Sequence, residues 1–198
     1  MVAKGELNGK TGKLQYKQVR AKLRKKKNRK PKDYQVQKFG DIVQVDAITY
    51  QIGNLKRYFI YMIDLWTRIA HVKVFDNLNS SNARIALEDF ERVYSIDIKN
   101  VQTDNGLEYH KYFDQYLLER GISHFWNHPR TPKQNAFIER FNRTIEDELI
   151  DINLLALRQK DCVLFNQRLA DYLHYYNYIR PHWGLQLHTP ISVLENLS

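Results

Sequence analysis

The sequence predicts an α/β domain built on a mixed sheet, and three observations lead there. Three strand-like runs follow one another between residues 41 and 75 with short connections, the pattern of an antiparallel meander. Helical periods then alternate with short strand-like runs as far as Trp126. Beyond Trp126 the chain holds two long helical periods with no strand between them.

Taken in order, Asp41 to Tyr50 alternates, with Ile42, Gln44, Asp46 and Ile48 on one face and Val43, Val45, Ala47 and Thr49 on the other. Turn residues Gln51 to Lys56 lead into Arg57 to Asp64, a nearly continuous apolar strand, and Thr67-Arg68 turns the chain into Ile69 to Phe75. Asn79 or Ser80 can cap a helix whose apolar side carries Ala83, Ala86, Leu87, Phe90 and Tyr94. Ile98 to Thr103 reads as a strand, Tyr112 to Arg120 as a helix stopped by Gly121, and Ile122 to Trp126 as another strand. A loop with two prolines, His128 to Lys133, precedes a helix over Gln134 to Ile150 with the stripe Phe137, Phe141, Ile145 and Leu149. The last helix spans Gln159 to Tyr178, with Phe165, Leu169, Tyr172, Leu173 and Tyr176 as its apolar side.

Charge divides the chain. The net charge is +9, yet residues 1 to 33 carry 13 Lys/Arg against Glu6 and Asp33, a balance of +11 that leaves −2 for the rest. Residues 1–38 therefore read as a flexible basic arm, in which Arg24, Lys25, Lys26 and Lys27 open a compact positive block suited to displacing counterions from a polyanion. Residues 39–158 read as the core domain and 159–198 as a C-terminal helix and tail packed on it. The single cysteine, Cys162, excludes an intramolecular disulfide and a multi-cysteine zinc site, and the histidines lack zinc spacing. With no apolar leader and no span-length apolar stretch, the expectation is a soluble, cytoplasmic, bacterial protein associated with the nucleoid.

Three acids stand out. Asp46 interrupts a strand otherwise fit for a core, where a carboxylate is costly unless it is paired, hydrogen-bonded or metal-bound. Asp104 follows a strand end directly, before the tight turn of Asn105-Gly106, and strand carboxyl ends are where open α/β sheets collect ligands. Glu139, 35 residues later, lies one turn into a helix and off its apolar stripe, on the side of Asn135, Asn142 and Glu146. Each alone has an ordinary explanation as a turn or surface acid. Together they suit a hard cation that takes oxygen ligands.

The spacing and flanks of these acids resemble the catalytic core of DDE transposases and integrases, specifically bacterial insertion-sequence transposases akin to retroviral integrases. The resemblance rests on Asp46 in the first strand, Thr103-Asp104-Asn105-Gly106, Asn135-Ala136-Phe137-Ile138-Glu139-Arg140, and an ending of Tyr176-Asn177-Tyr178-Ile179-Arg180-Pro181-His182 with Leu185 and Thr189-Pro190. It covers Phe39 to Ser198. It implies a ribonuclease-H-like fold with helices on both faces of the sheet. It also implies that Asp46, Asp104 and Glu139 hold two Mg²⁺ (or Mn²⁺) ions for 3′-end cleavage and strand transfer of a mobile element. The implied partners are DNA, both element ends and target, and further copies of the chain assembled on it; no membrane is involved. Expected DNA contacts are Arg24, Lys25, Lys26, Lys27, Arg130, Lys133, Asn135 and Arg143. Glu146 departs from the pattern, which often has Lys or Arg there, and weakens the grip expected of that turn. Asp64, in Asp64-Leu65-Trp66-Thr67-Arg68, is read as structural, and Glu146, Asp147 and Glu148 as a solvated helix face. Alternatives are a nuclease of the same fold that joins no strands, and an inactive truncated DNA-binding remnant. The latter arises because fewer than 40 residues precede the core, without the helix pair that usually recognises element ends.

Overall fold

Strand β1 (Val43–Ile52) begins with three consecutive buried residues, and the computed structural model shows why: the strand lies in the middle of the sheet. The structure describes residues 27–128, 135–153, 157 and 162–196. β1 pairs antiparallel with β2 (Leu55–Asp64), and β2 with β3 (Ala70–Phe75). On its other side β1 runs parallel to β4 (Asn100–Thr103), which runs parallel to β5 (Ser123–Trp126). The order β3-β2-β1-β4-β5 is the mixed sheet expected from the sequence.

Helices cover both faces, as expected. On one, Val43, Val45, Ile60 and Met62 pack against α1 (Ser80–Tyr94) and α2 (Tyr112–Glu119) through Ala86, Leu87, Phe90, Phe113 and Leu117. On the other, Phe59, Tyr61 and Ile63 meet α3 (Ala136–Ile145) and α4 (Val163–His174) through Ile138, Phe141, Phe165 and Leu169. Asn79 caps α1, its side chain accepting from the Asn82 amide at 2.8 Å.

Several boundaries differ from the sequence reading. The first hairpin is tighter, with Ile52 opposite Leu55, leaving a two-residue loop whose Gly53 takes φ +62°. The stripe of α3 is Ile138, Phe141, Asn142 and Ile145, not one that includes Phe137. Phe137 is 47% exposed, and the half-buried Arg68 guanidinium lies 3.5 Å over its ring, so a cation rather than the apolar core meets this side chain. Both long helices end in a wide turn, Glu146–Ile150 after α3 and Tyr175–Ile179 after α4. The extra residue lets consecutive side chains face inward: Leu149 with Ile150, and Tyr176 with Asn177. A final helix, α5 (Pro190–Glu195), was not anticipated; Thr189 and Ser192 form its capping box and Pro190 its first turn.

Asparagines of the C-terminal region close the sheet's edge. Asn177 is fully buried, accepts from the Ala70 amide at 2.9 Å and donates to the Ala70 carbonyl at 2.8 Å. Asn166 does the same for Val74, at 3.0 Å in both directions. These bonds satisfy outward-facing backbone groups of edge strand β3. Glu148 was read as solvated; instead its carboxylate pairs with Arg180 at 2.7 Å and accepts from the Tyr172 hydroxyl, tying the end of α3 to the Arg180-Pro181-His182 segment. Asp64 is fully buried and accepts from the Thr67 amide and hydroxyl, the Trp66 amide and the Gly40 amide, a turn-building role.

Cys162 is buried, and its thiol donates to Asp76 Oδ1 at 3.3 Å. Among the described residues no helix is long and apolar enough to cross a membrane.

Candidate active site

The last residues paired between parallel strands β1 and β4 are Val45 and Thr103. Asp46 and Asp104 are the next residues on these neighbouring strands, whose backbones run about 4.8 Å apart. Sheet register alone thus brings together two acids separated by 58 positions in the chain.

Burial and the nearby Asp104 charge push the Asp46 carboxyl up to about 6, with Glu139 adding a smaller push in the same direction. Opposing this, Asn142 of α3 donates from Nδ2 to Asp46 Oδ2 at 2.9 Å. Asp104 is less enclosed; its Oδ1 accepts from the Gly106 amide at 2.8 Å, which fixes the carboxylate on the turn. Glu139 stands exposed in the first turn of α3, where an acid also suits the helix dipole. The structure therefore joins Asp46 to Asp104 and leaves Glu139 at the margin. Among the described residues no three acidic, histidine or cysteine side chains converge closely enough to hold a metal ion.

A polar network frames the acids. Gln102 Nε2 donates to Asn127 Oδ1 at 2.7 Å, and Asn127 Nδ2 donates to Asn135 Oδ1 at 2.6 Å, linking β4 and the end of β5 to the start of α3. Asn135, expected on DNA, thus has its side-chain oxygen engaged by Asn127. Asn105 Nδ2 donates to the Asn127 carbonyl at 3.1 Å, while its Oδ1 accepts from Lys27 Nζ at 2.9 Å.

Lys27 belongs to the stretch read as a flexible arm, and Lys27, Asn28, Arg29 and Tyr34 of that stretch contact the core. Trp126 N–H donates to the Asn28 carbonyl at 2.9 Å, Arg29 donates to the Trp126 carbonyl at 3.0 Å, and Lys27 Nζ sits 3.8 Å over the Trp126 ring. Farther along, Tyr34 donates to Asp41 and packs edge-on against Phe125. Burial and the neighbouring Arg29 lower the Lys27 ammonium below the usual lysine range, with the Asp104 charge acting the other way. Arg143 is exposed, one turn beyond Glu139. Arg24, Lys25, Lys26, Arg130 and Lys133 lie outside the described residues.

Two of the histidines have structural partners. His124 faces Thr103 and Asp114, with burial pushing it down to about 4, and His182 faces the Tyr176 carbonyl. Asn142 was not assigned to the site from the sequence, although its place one turn from Glu139 on the same helical side was a signal for it.

A family model described as an integrase core domain matches residues 120–190. The ORF3 integrase candidate of Spiroplasma virus SpV1-C74 is 31% identical, over 83% of this chain and 50% of its own length. The HTLV-2 integrase catalytic core, solved in complex with magnesium, aligns with a TM-score of 0.63 at 16% identity, covering 78% of this chain and 95% of that one. The chain carries a DDE transposase/integrase core.

Further relatives agree. The uncharacterized 39.2 kDa protein of insertion element IS476 from Xanthomonas euvesicatoria is 28% identical over 84% of this chain and 49% of its own length. The chain thus spans about half the length of the curated relatives it matches. A simian T-cell lymphotropic virus intasome contributes a chain with a TM-score of 0.69 at 16% identity, over 86% of this chain and 60% of that one. The mixed sheet of this DDE core is the ribonuclease-H-like fold of retroviral integrase cores. The family match contains Glu139 and the Arg180-Pro181-His182 segment; Asp46 and Asp104 lie upstream of it.

Proposed function

We propose that this chain is the catalytic core of a DNA transposase or integrase that cleaves the 3′ ends of a mobile element and joins them to target DNA. The observation that carries the reading is the meeting of Asp46 and Asp104 at the ends of adjacent parallel strands, with the Asp46 carboxyl raised to about 6. Two carboxylates pressed together at partial burial are poorly stabilised on their own and well suited to a hard divalent cation, so the donor set fits Mg²⁺ or Mn²⁺. Asp46, Asp104 and Glu139 would hold the ions, two in the full site. When bound, such a pair stabilises the attacking and leaving oxygens of an in-line phosphodiester displacement.

The chain's own residues orient these groups. Asn142 holds Asp46, the Gly106 amide holds Asp104, and the Gln102-Asn127-Asn135 network anchors the start of the helix that carries Glu139. Lys27 and Arg143, with Arg24, Lys25, Lys26, Arg130, Lys133 and Asn135, are the candidate DNA contacts. Lys27 has the best support, because it lies beside the Asp104-Asn105 turn. Assembly of several copies on DNA accords with the HTLV-2 core, which is described in dimeric and trimeric forms, and action on nucleoid DNA in a bacterial cytoplasm follows from the same reading.

The test is an incubation of the full chain with Mg²⁺ and labelled donor and target DNA. Joined products support a transposase or integrase; nicks without joining indicate a nuclease of the same fold; no product indicates an inactive remnant. Asp104→Asn should abolish product while leaving the fold and DNA affinity in place, and near-normal cleavage by this variant would remove Asp104 from the site.

A further inference from the structure

Tyr109 ends a short 3₁₀ turn, Leu107–Tyr109, that follows the Asp104-Asn105-Gly106 turn. Its ring is fully buried in the core shared with α1 and α2 and meets Phe113 edge-on at 5.4 Å. Packing accounts for the ring but not for the oxygen: among the described residues the Tyr109 hydroxyl has no hydrogen-bond partner. A buried hydroxyl left unmatched bears its full desolvation cost, and phenylalanine would fill the same space without it. The nearby charges of Asp46, Glu108 and Asp104 all bear on this oxygen, Asp46 most strongly. The hydroxyl is thus a buried, unmatched donor that feels the charge of the acid pair.

We propose that Tyr109 is a positioning residue of the acid site, its hydroxyl placed to donate a hydrogen bond to an oxygen of that site when Asp46 and Asp104 hold a divalent cation. The proposal rests on the metal-site reading above. A phenol fixed by its packed ring can turn only its O–H bond, so it selects one position for the accepting oxygen. Groups in this supporting position set a metal's affinity without touching it. Asn142 holds Asp46 from the α3 side of the sheet, whereas Tyr109 approaches from the α1 and α2 side. The pair of carboxylates is then braced from both faces.

The test titrates Mn²⁺ alone into the full chain and into Tyr109→Phe by calorimetry, with the metal-free melting temperature of each measured alongside. Expected are a melting temperature for the variant equal to or above that of the parent, and Mn²⁺ binding weaker by about tenfold or more, the scale of losing an outer-shell partner. Unchanged Mn²⁺ affinity overturns the proposal. So does a lowered metal-free melting temperature, whatever the affinity, because it assigns the hydroxyl a partner within the fold. If the parent chain binds no Mn²⁺, the metal-site reading falls and takes this inference with it, a result distinct from equal binding by both proteins.

Discussion

Asn142 on α3 donates a 2.9 Å hydrogen bond to the carboxylate of Asp46 on β1, 96 positions earlier in the chain. The bond offsets part of the burial and charge repulsion that raise this carboxyl. Asn142→Ala should therefore move the Asp46 titration above its position near 6, read by carbon NMR of the carboxyl group. It should also weaken Mn²⁺ binding. A downward or unchanged titration would show that the amide does not stabilise the ionised form.

Asp46 also links stability to pH. Its folded value, about 6, lies above its unfolded value, so its contribution is fully present below the unfolded value and is lost as pH rises through 6. His124, held down to about 4 by burial, works against it, destabilising the fold as pH falls toward that value. The clean measurement is the difference between the metal-free parent and Asp46→Asn. Between pH 4 and pH 7 the parent should lose stability relative to the variant by an amount on the order of 3 kcal/mol. Parallel stability profiles would refute the shift.

Metal affinity should follow the opposite course. Cation binding requires the ionised carboxylate, so Mn²⁺ affinity should fall as pH drops below 6, with proton release on binding in that range. Calorimetry in buffers of different ionisation enthalpy reads the released protons directly.

Lys27 touches Asn105 and the Trp126 ring beside the Asp104 turn. If it meets a DNA phosphate, Lys27→Ala should weaken binding to all sequences alike and reduce the slope of log affinity against log salt by roughly one. Fluorescence anisotropy at several salt concentrations measures both. An unaltered slope would confine Lys27 to a structural role.

Asn177 satisfies both backbone groups of Ala70 and donates to the Tyr94 hydroxyl from a fully buried position. Asn177→Ala leaves those groups unmatched and should cost roughly 2–4 kcal/mol in urea unfolding. A loss well under 1 kcal/mol would show that the edge of β3 finds other partners.

The amino-acid pattern by itself determined the order of strands and helices as far as α4, the continuous burial of β2, and the three acids with their flanks. Periodicity reports which faces of a segment avoid water, and the spacing of Asp104 and Glu139 is a local property of the chain. Tertiary structure decided what depends on register and on partners distant in sequence. Parallel pairing set Asp46 beside Asp104; the wide turns ending α3 and α4 moved Asn177 inward and Glu148 onto Arg180; and Lys27, Asn28 and Arg29 settled against Trp126. Each is a contact between groups many positions apart, whose energy is realised only after the chain has closed on itself, and no periodicity within one segment encodes it.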